Sequence, residues 1–395
     1  MAGNQREMER REKRAQKEKK QKQIIWIIIA VIILVLIIMK VCEVNINSVK
    51  NRFTDENGKF TLTEGVVEDN FPYTIDSSQN VSAVNINNKI GVLTPNSFTV
   101  INSQDGSTDY MFEHGYSNPI LKTSGVYSLV LDQGAKKYRL DTTSGIVYEE
   151  EMSNTILCAD VSKNGTAAVA TTSKEKLCDI TVFSKSLKKE MEISTSDGYI
   201  VAVSLSESGK YVAAAVVSGE NAELKTTVYI YSISDSSNVK SAELPRGSLI
   251  DLRYAGSNIF AVGDSYAGII DKSGKYEDIY AKDAISTRCF CYTPAGDLVL
   301  VYNSYSNSTD NYVAHIKKSG KIKNEIKVSG NVKSVTAASS VVSALTSSEI
   351  ISFNLSNGEK KGSLSIDDSV NSICRLGSEI FIQKQSLIDR SEVEK

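Results

Sequence analysis

YIVAVSLSESGKYVAAAVVSG, residues 199–219, reads as two strands joined by a tight turn. Apolar and small polar residues alternate through YIVAVSLS, the period of a half-buried strand. The turn ESGK carries Gly209, and a glycine supplies the positive φ of a tight turn at no steric cost. Working outward, TTVYIYSI at 226–233 is a third strand, DSSN at 235–238 a second turn, and VKSAELP at 239–245 a fourth strand. The unit is therefore a four-stranded antiparallel meander.

The same order recurs on both sides at roughly 40 residues, the length of a propeller blade. First hairpins are VSAVNINNKIGVLT from Val81, ILCADVSKNGTAAVATT from Ile156, LRYAGSNIFAVG from Leu252, RCFCYTPAGDLVLVY from Arg288 and SICRLGSEIFIQ from Ser372. Second hairpins include FTVINSQDGSTDYMF from Phe98, YRLDTTSGIVYEE from Tyr138, GIIDKSGKYEDIY from Gly268 and HIKKSGKIKNEIKV from His315. First strands are expected near Ser82, Ile120, Ile156, Ile200, Leu249, Thr287, Ser334 and Ser372. The last repeat has room for three strands, and FPYTID at Phe71–Asp76 is an orphan strand ahead of the first blade. Joining the two closes a ring, giving an all-β propeller of eight blades, or seven if one unit is split too finely. Cys158, Ala202 and Cys289 each lie seven positions before a turn glycine, so one blade position takes small buried residues.

Ahead of the repeats lies IIWIIIAVIILVLIIM, Ile24–Met39, with no polar residue. Extended through Val41 and Cys42, with Lys40 snorkelling, it approaches the ~20 residues that span ~30 Å of hydrocarbon. Nine Lys and Arg against four Glu fill Arg6–Lys22. That excess predicts a cytoplasmic N-terminus and an exported remainder. A cleaved signal peptide fits less well, because the apolar run is long and no A-x-A-like site follows it. Met39-Lys40-Val41 lacks the small residues expected before a lipidated Cys42. The expected organisation is a basic tail over 1–23, a signal anchor in the lipid bilayer over Ile24–Cys42, a stalk over 43–70 and a propeller over 71–395.

Beyond Lys40 there are 35 basic and 43 acidic side chains and no tryptophan. An acidic domain without a basic stripe argues against nucleic acid as partner. Six cysteines are too sparse for a disulfide scaffold, and Cys289-Phe290-Cys291 lacks the spacing of a metal knuckle. Buried free thiols are expected, with Cys158–Cys178 the one pairing worth checking.

No catalytic, cofactor or metal constellation stands out. The two histidines, His114 and His315, are far apart and occupy ordinary repeat positions. Asp105, Asp141 and Asp271 read as hairpin residues, and Glu149-Glu150-Glu151 as solvated charge. Lys122, Arg253, Arg288, Lys333 and Arg375 fall in or beside first strands, which line a propeller channel. If they converge, they form a positive mouth for an anionic ligand; otherwise each faces water at a strand end.

The hairpin series resembles the WD-repeat-like and quinoprotein-like propellers, although Gly-His…Trp-Asp pairs and tryptophan docking motifs are absent. The whole layout, from the Lys/Arg/Glu tail through one anchor to a Ser/Asn/Tyr-rich propeller with turns such as SESGKYVA at Ser206–Ala213, is more specific. It looks like an uncharacterised family of membrane-anchored extracytoplasmic propellers from Gram-positive anaerobic bacteria, known only as a domain of unknown function. That resemblance carries no catalytic residues. It implies a non-enzymatic module that binds a protein or envelope polymer through loops or the channel mouth. A cell-envelope glycan hydrolase or lyase, or a scaffold in an export or envelope-assembly complex, is the alternative.

Overall fold

Short runs such as Ala167–Thr172 and Tyr211–Glu220 combine β-branched residues with alanine, so their sheets are thin enough to stack face to face. In the computed structural model, which describes residues 69–392 except 78, 221, 222, 305 and 306, such strands build eight four-stranded antiparallel sheets. The basic tail, the apolar segment and the stalk up to residue 68 lie outside the described residues, as does Cys42.

Blade 1 spans Ser82–Glu113, blade 2 Pro119–Glu151, blade 3 Ile156–Thr195 and blade 4 Tyr199–Glu243. Blade 5 spans Leu249–Tyr280, blade 6 Ser286–Ser329 and blade 7 Ser334–Ser365. Blade 8 takes three strands from Val370–Glu392 and its outermost strand from Tyr73–Thr74. Tyr73 lies opposite Ile388 and Thr74 opposite Leu387. The eight expected first strands and the orphan strand all appear, which settles the count at eight.

First strands of neighbouring blades approach one another and so ring the central axis. Outermost strands, such as Asp235–Glu243, are largely exposed. Eight apolar clusters hold the ring among the described residues, and each joins two adjacent blades. The seam between blades 8 and 1 is typical, with Ile75, Ile90, Val92, Ile101, Phe381 and Ile388 in one cluster. There the Arg390 guanidinium pairs with Asp69 at 2.6 Å and lies over the Phe71 ring, while the Asn70 N–H donates to the Asp105 carbonyl.

The ring has two faces. The first-turn face carries the turns after first and third strands, and the second-turn face carries the turns after second strands and the links between blades. Gly209 on the first-turn face has φ +64°, and a Cβ there would stand 2.6 Å from Thr166 Oγ1 of blade 3. Asp141 stands in its hairpin, opposite Ile146, and is also a buried link between blades. It is fully buried in a third strand, accepts from Tyr110 Oη at 2.7 Å and Arg139 Nε at 3.0 Å, and so ties blade 1 to blade 2. Burial raises its carboxyl above the ordinary range despite both donors.

Candidate functional site

Five first strands carry a bulge at the same place: between Ile156 and Cys158, Ile200 and Ala202, Leu249 and Asp251, Thr287 and Cys289, and Val370 and Ser372. The bulge fixes the facing of everything after it, because side chains alternate along a strand. Two residues past it, the side chain turns to the next blade, where it meets the residue three past the bulge there. Asp160 Oδ2 thus accepts the Leu205 N–H at 2.7 Å, and Ser204 Oγ the Tyr254 N–H at 3.0 Å. In the matching place the Arg253 guanidinium lies 4.5 Å from the Tyr292 ring centroid. Thr336 Oγ1 accepts the Arg375 N–H at 3.0 Å in blade 7, whose first strand pairs without a bulge.

Inside this ring, toward the first-turn face, is a cavity of about 560 Å3. Asn87, Asn88, Gly125, Lys163, Glu207 and Gly296 of the first turns bound it, and Lys122, Asp160, Asp251, Arg253 and Tyr292 supply its chemistry. Tyr292 Oη donates to Asp251 Oδ2 at 2.6 Å, and burial followed by that neighbouring carboxylate pushes the phenol well above its usual range. The Asp160 carboxyl is also raised, because burial outweighs the nearby Lys122, the Leu205 N–H and Arg253. At the rim Lys163 pairs with Glu207 at 3.0 Å. Three cations thus share the lining with three carboxylates.

A second depression, about 690 Å3, lies between blades 4 and 5 on the same face. Tyr211, Ile230, Tyr254 and Ile259 make its apolar wall, and Glu207 and Tyr254 line both spaces.

A model of the family of unknown function DUF5711 matches residues 67–395. The chain belongs to that family. A search of curated proteins returns no match. Among solved structures this DUF5711 propeller is similar to Saccharomyces cerevisiae Sqt1, at TM-score 0.54 and 10% identity over 81% of this chain and 98% of that one. It is also similar to the C-terminal WD40 domain of Sif2, at 0.55 and 10% over 84% and 100%. At that identity the likeness is one of fold.

The five cationic residues read from the DUF5711 sequence do not converge. Lys122 and Arg253 line the cavity. Arg288 and Lys333 are exposed near the starts of their first strands, at the second-turn end, and Arg288 Nε donates to Asn303 Oδ1 at 2.8 Å. Arg375 turns into blade 7, where its guanidinium donates to Ser343 Oγ at 2.9 Å, and it also reaches the Gly377 and Ser378 carbonyls. Asp160, Asp251 and Tyr292 escaped the sequence reading. Their signal was a carboxylate in an otherwise apolar first strand, as in ILCADV and LIDLRYA.

His315 bridges Asp297 at 3.1 Å and the Leu355 carbonyl at 3.0 Å, so both ring nitrogens have structural partners. Among the described residues no group of three or more His, Cys, Asp or Glu could hold a metal, and Cys158, Cys178, Cys289, Cys291 and Cys374 are free thiols.

Proposed function

We propose that this chain is a non-catalytic interaction module, tethered to the outer side of a membrane through Ile24–Cys42, that binds a protein across its second-turn face. The observation carrying this is an apolar group on blades 4 and 5. Tyr199, Val201 and Ile250 are 57%, 46% and 49% exposed at the starts of adjacent first strands. Beside them the hairpin of Tyr211–Glu220 and Glu223–Ser232 extends past the sheet and holds Leu224 73% exposed. Arg246, in the link to blade 5, pairs with Glu223 and pins the hairpin next to the patch. Clustered exposed apolar side chains on a rigid scaffold suit protein contact, and the fold likeness to a WD40 domain is compatible with it.

The catalytic alternative draws less support. Asp160 and Asp251 share a cavity, but each already accepts a short hydrogen bond from the protein. The export reading rests on the basic flank and the apolar run, and a reporter fused after residue 395 tests it. Active alkaline phosphatase there agrees with an exported propeller; activity only from a cytoplasmic reporter overturns it.

For the binding reading, a photo-crosslinking residue is placed at Val201 or Ile250 of the full chain in its native membrane, with Lys188 on an outer turn as control. One discrete protein adduct from the first two positions and none from Lys188 is expected. Adducts to polysaccharide, or equal labelling at all three positions, refute a protein-binding rim.

A further inference from the structure

The cavity at the first-turn face has an unequal account of donors and acceptors. Each of its carboxylates is engaged: Glu207 by Lys163 at 3.0 Å, Asp251 by the Tyr292 hydroxyl at 2.6 Å, and Asp160 by the Leu205 N–H at 2.7 Å. Two of its cations are not. Lys122 and Arg253 make no hydrogen bond or ion pair among the described residues. Arg253 meets only the face of Tyr292, a contact that orients the guanidinium plane and leaves its N–H donors free.

We propose that this cavity binds a small oxyanion, a carboxylate or a phosphoryl group, held between the Lys122 ammonium and the Arg253 guanidinium. A guanidinium fork matches two oxygens of either group, and an ammonium adds a third contact without a geometric demand. The volume of about 560 Å3 falls within the range of small-molecule sites. A neutral sugar would offer the Lys122 and Arg253 donors only uncharged acceptors, which hydrogen-bond them less strongly than an oxyanion does. A polyanion would meet a domain carrying more acidic than basic side chains, whose field opposes it. A single anionic group on a small molecule satisfies both constraints. The site lies at the opposite end of the channel from the apolar rim, so it stands whether or not that rim binds protein.

The test is calorimetric titration of the detergent-solubilised full chain with sodium phosphate and, separately, with succinate, at fixed ionic strength. Saturable binding of at least one is expected, and which one binds identifies the source as phosphoryl or carboxylate. Lys122→Met and Arg253→Met should each weaken it by about tenfold or more, the range for losing a hydrogen bond to a charged group. Lys163→Met, whose ammonium is already paired, should change it less than about twofold on the same reasoning. Thermal unfolding checks that each variant is folded. Should Arg253→Met fail to fold, Lys122→Met decides alone, since Lys122 holds no partner in place. Binding of neither probe, or wild-type binding by the folded variants, overturns the proposal.

Discussion

The backbone N–H of Leu205 in blade 4 donates to the Asp160 carboxylate of blade 3 at 2.7 Å. The bond crosses a blade boundary at a place where other blades use Ser204 or Thr336 for the same task. Of these three hydrogen bonds only that of blade 3 has a charged acceptor, and burial raises its carboxyl above the ordinary range. The native state therefore holds the proton more tightly than the unfolded chain does. Its contribution to stability is present below the ordinary carboxylate range and is lost as pH rises through the raised native value. Asp160→Asn keeps an oxygen acceptor and removes this dependence. Denaturant unfolding from about pH 7 to about pH 4 should show wild type gaining on Asp160→Asn as pH falls, across the interval in which a raised carboxyl takes up its proton. A pH-independent difference would sink this assignment. Asp160→Ala, which strands the Leu205 N–H, should cost about 1–3 kcal/mol.

Arg375 is a structural cation. Burial holds its guanidinium below the usual value, and Ser343, Gly377 and Ser378 accept its protons. Urea unfolding should show Arg375→Met losing about 1.5–3 kcal/mol. Arg375→Lys should recover less than half of that loss, since one ammonium cannot span the three acceptors. Full recovery by lysine would mean that charge alone matters at this position.

The seam between blades 8 and 1 rests on a short pairing, so its packing carries the closure. Ile75 is buried against Ile90, Phe381 and Ile388, and its N–H bonds to the Ser386 carbonyl. Ile75→Ala should lower stability by about 2–5 kcal/mol. Deleting the chain through Asp76 leaves Leu387–Glu392 as an open edge, and size-exclusion chromatography should then show association. A monomeric, fully stable deletion would show that closure does not depend on this strand.

Burial pushes the thiols of Cys158, Cys289 and Cys374 up to about 12 and raises those of Cys178 and Cys291 as well. Near pH 8 only about one in ten thousand of the Cys158, Cys289 and Cys374 thiols is ionised. A Cys42→Ser chain should therefore be inert to a thiol-exchange reagent until it is denatured, when five thiols appear. Rapid labelling of the native protein would contradict the raised thiols of the buried and half-buried cysteines.

How far the fold could be read follows from what repeats. Turn glycines such as Gly165 and Gly209 mark many hairpin ends, and alternation marks the strands between them, so blade order and ring closure were legible. The channel was not, because one bulge reverses the facing of every later residue in its strand. Arg253 stands two residues past Asp251 and looks into the cavity, while Arg375 stands three past Ser372 and looks into blade 7. Nothing in LIDLRYA or SICRLG announces which parity applies. The apolar rim was hidden for the same reason, since Val201 and Ile250 are the bulged residues themselves.

Pairing of Tyr73–Thr74 with Leu387–Ile388 also sets an order in time. Tyr73–Thr74 wait for Leu387 and Ile388, and bringing such distant segments together is slow relative to forming the local hairpins. A product stopped short of Leu387 keeps an idle strand at its start and an unsealed final sheet at its end. A chain without Leu387 and Ile388 leaves Tyr73–Thr74 without their partner strand, and the unpaired edge of the last sheet is then open to pairing with another chain.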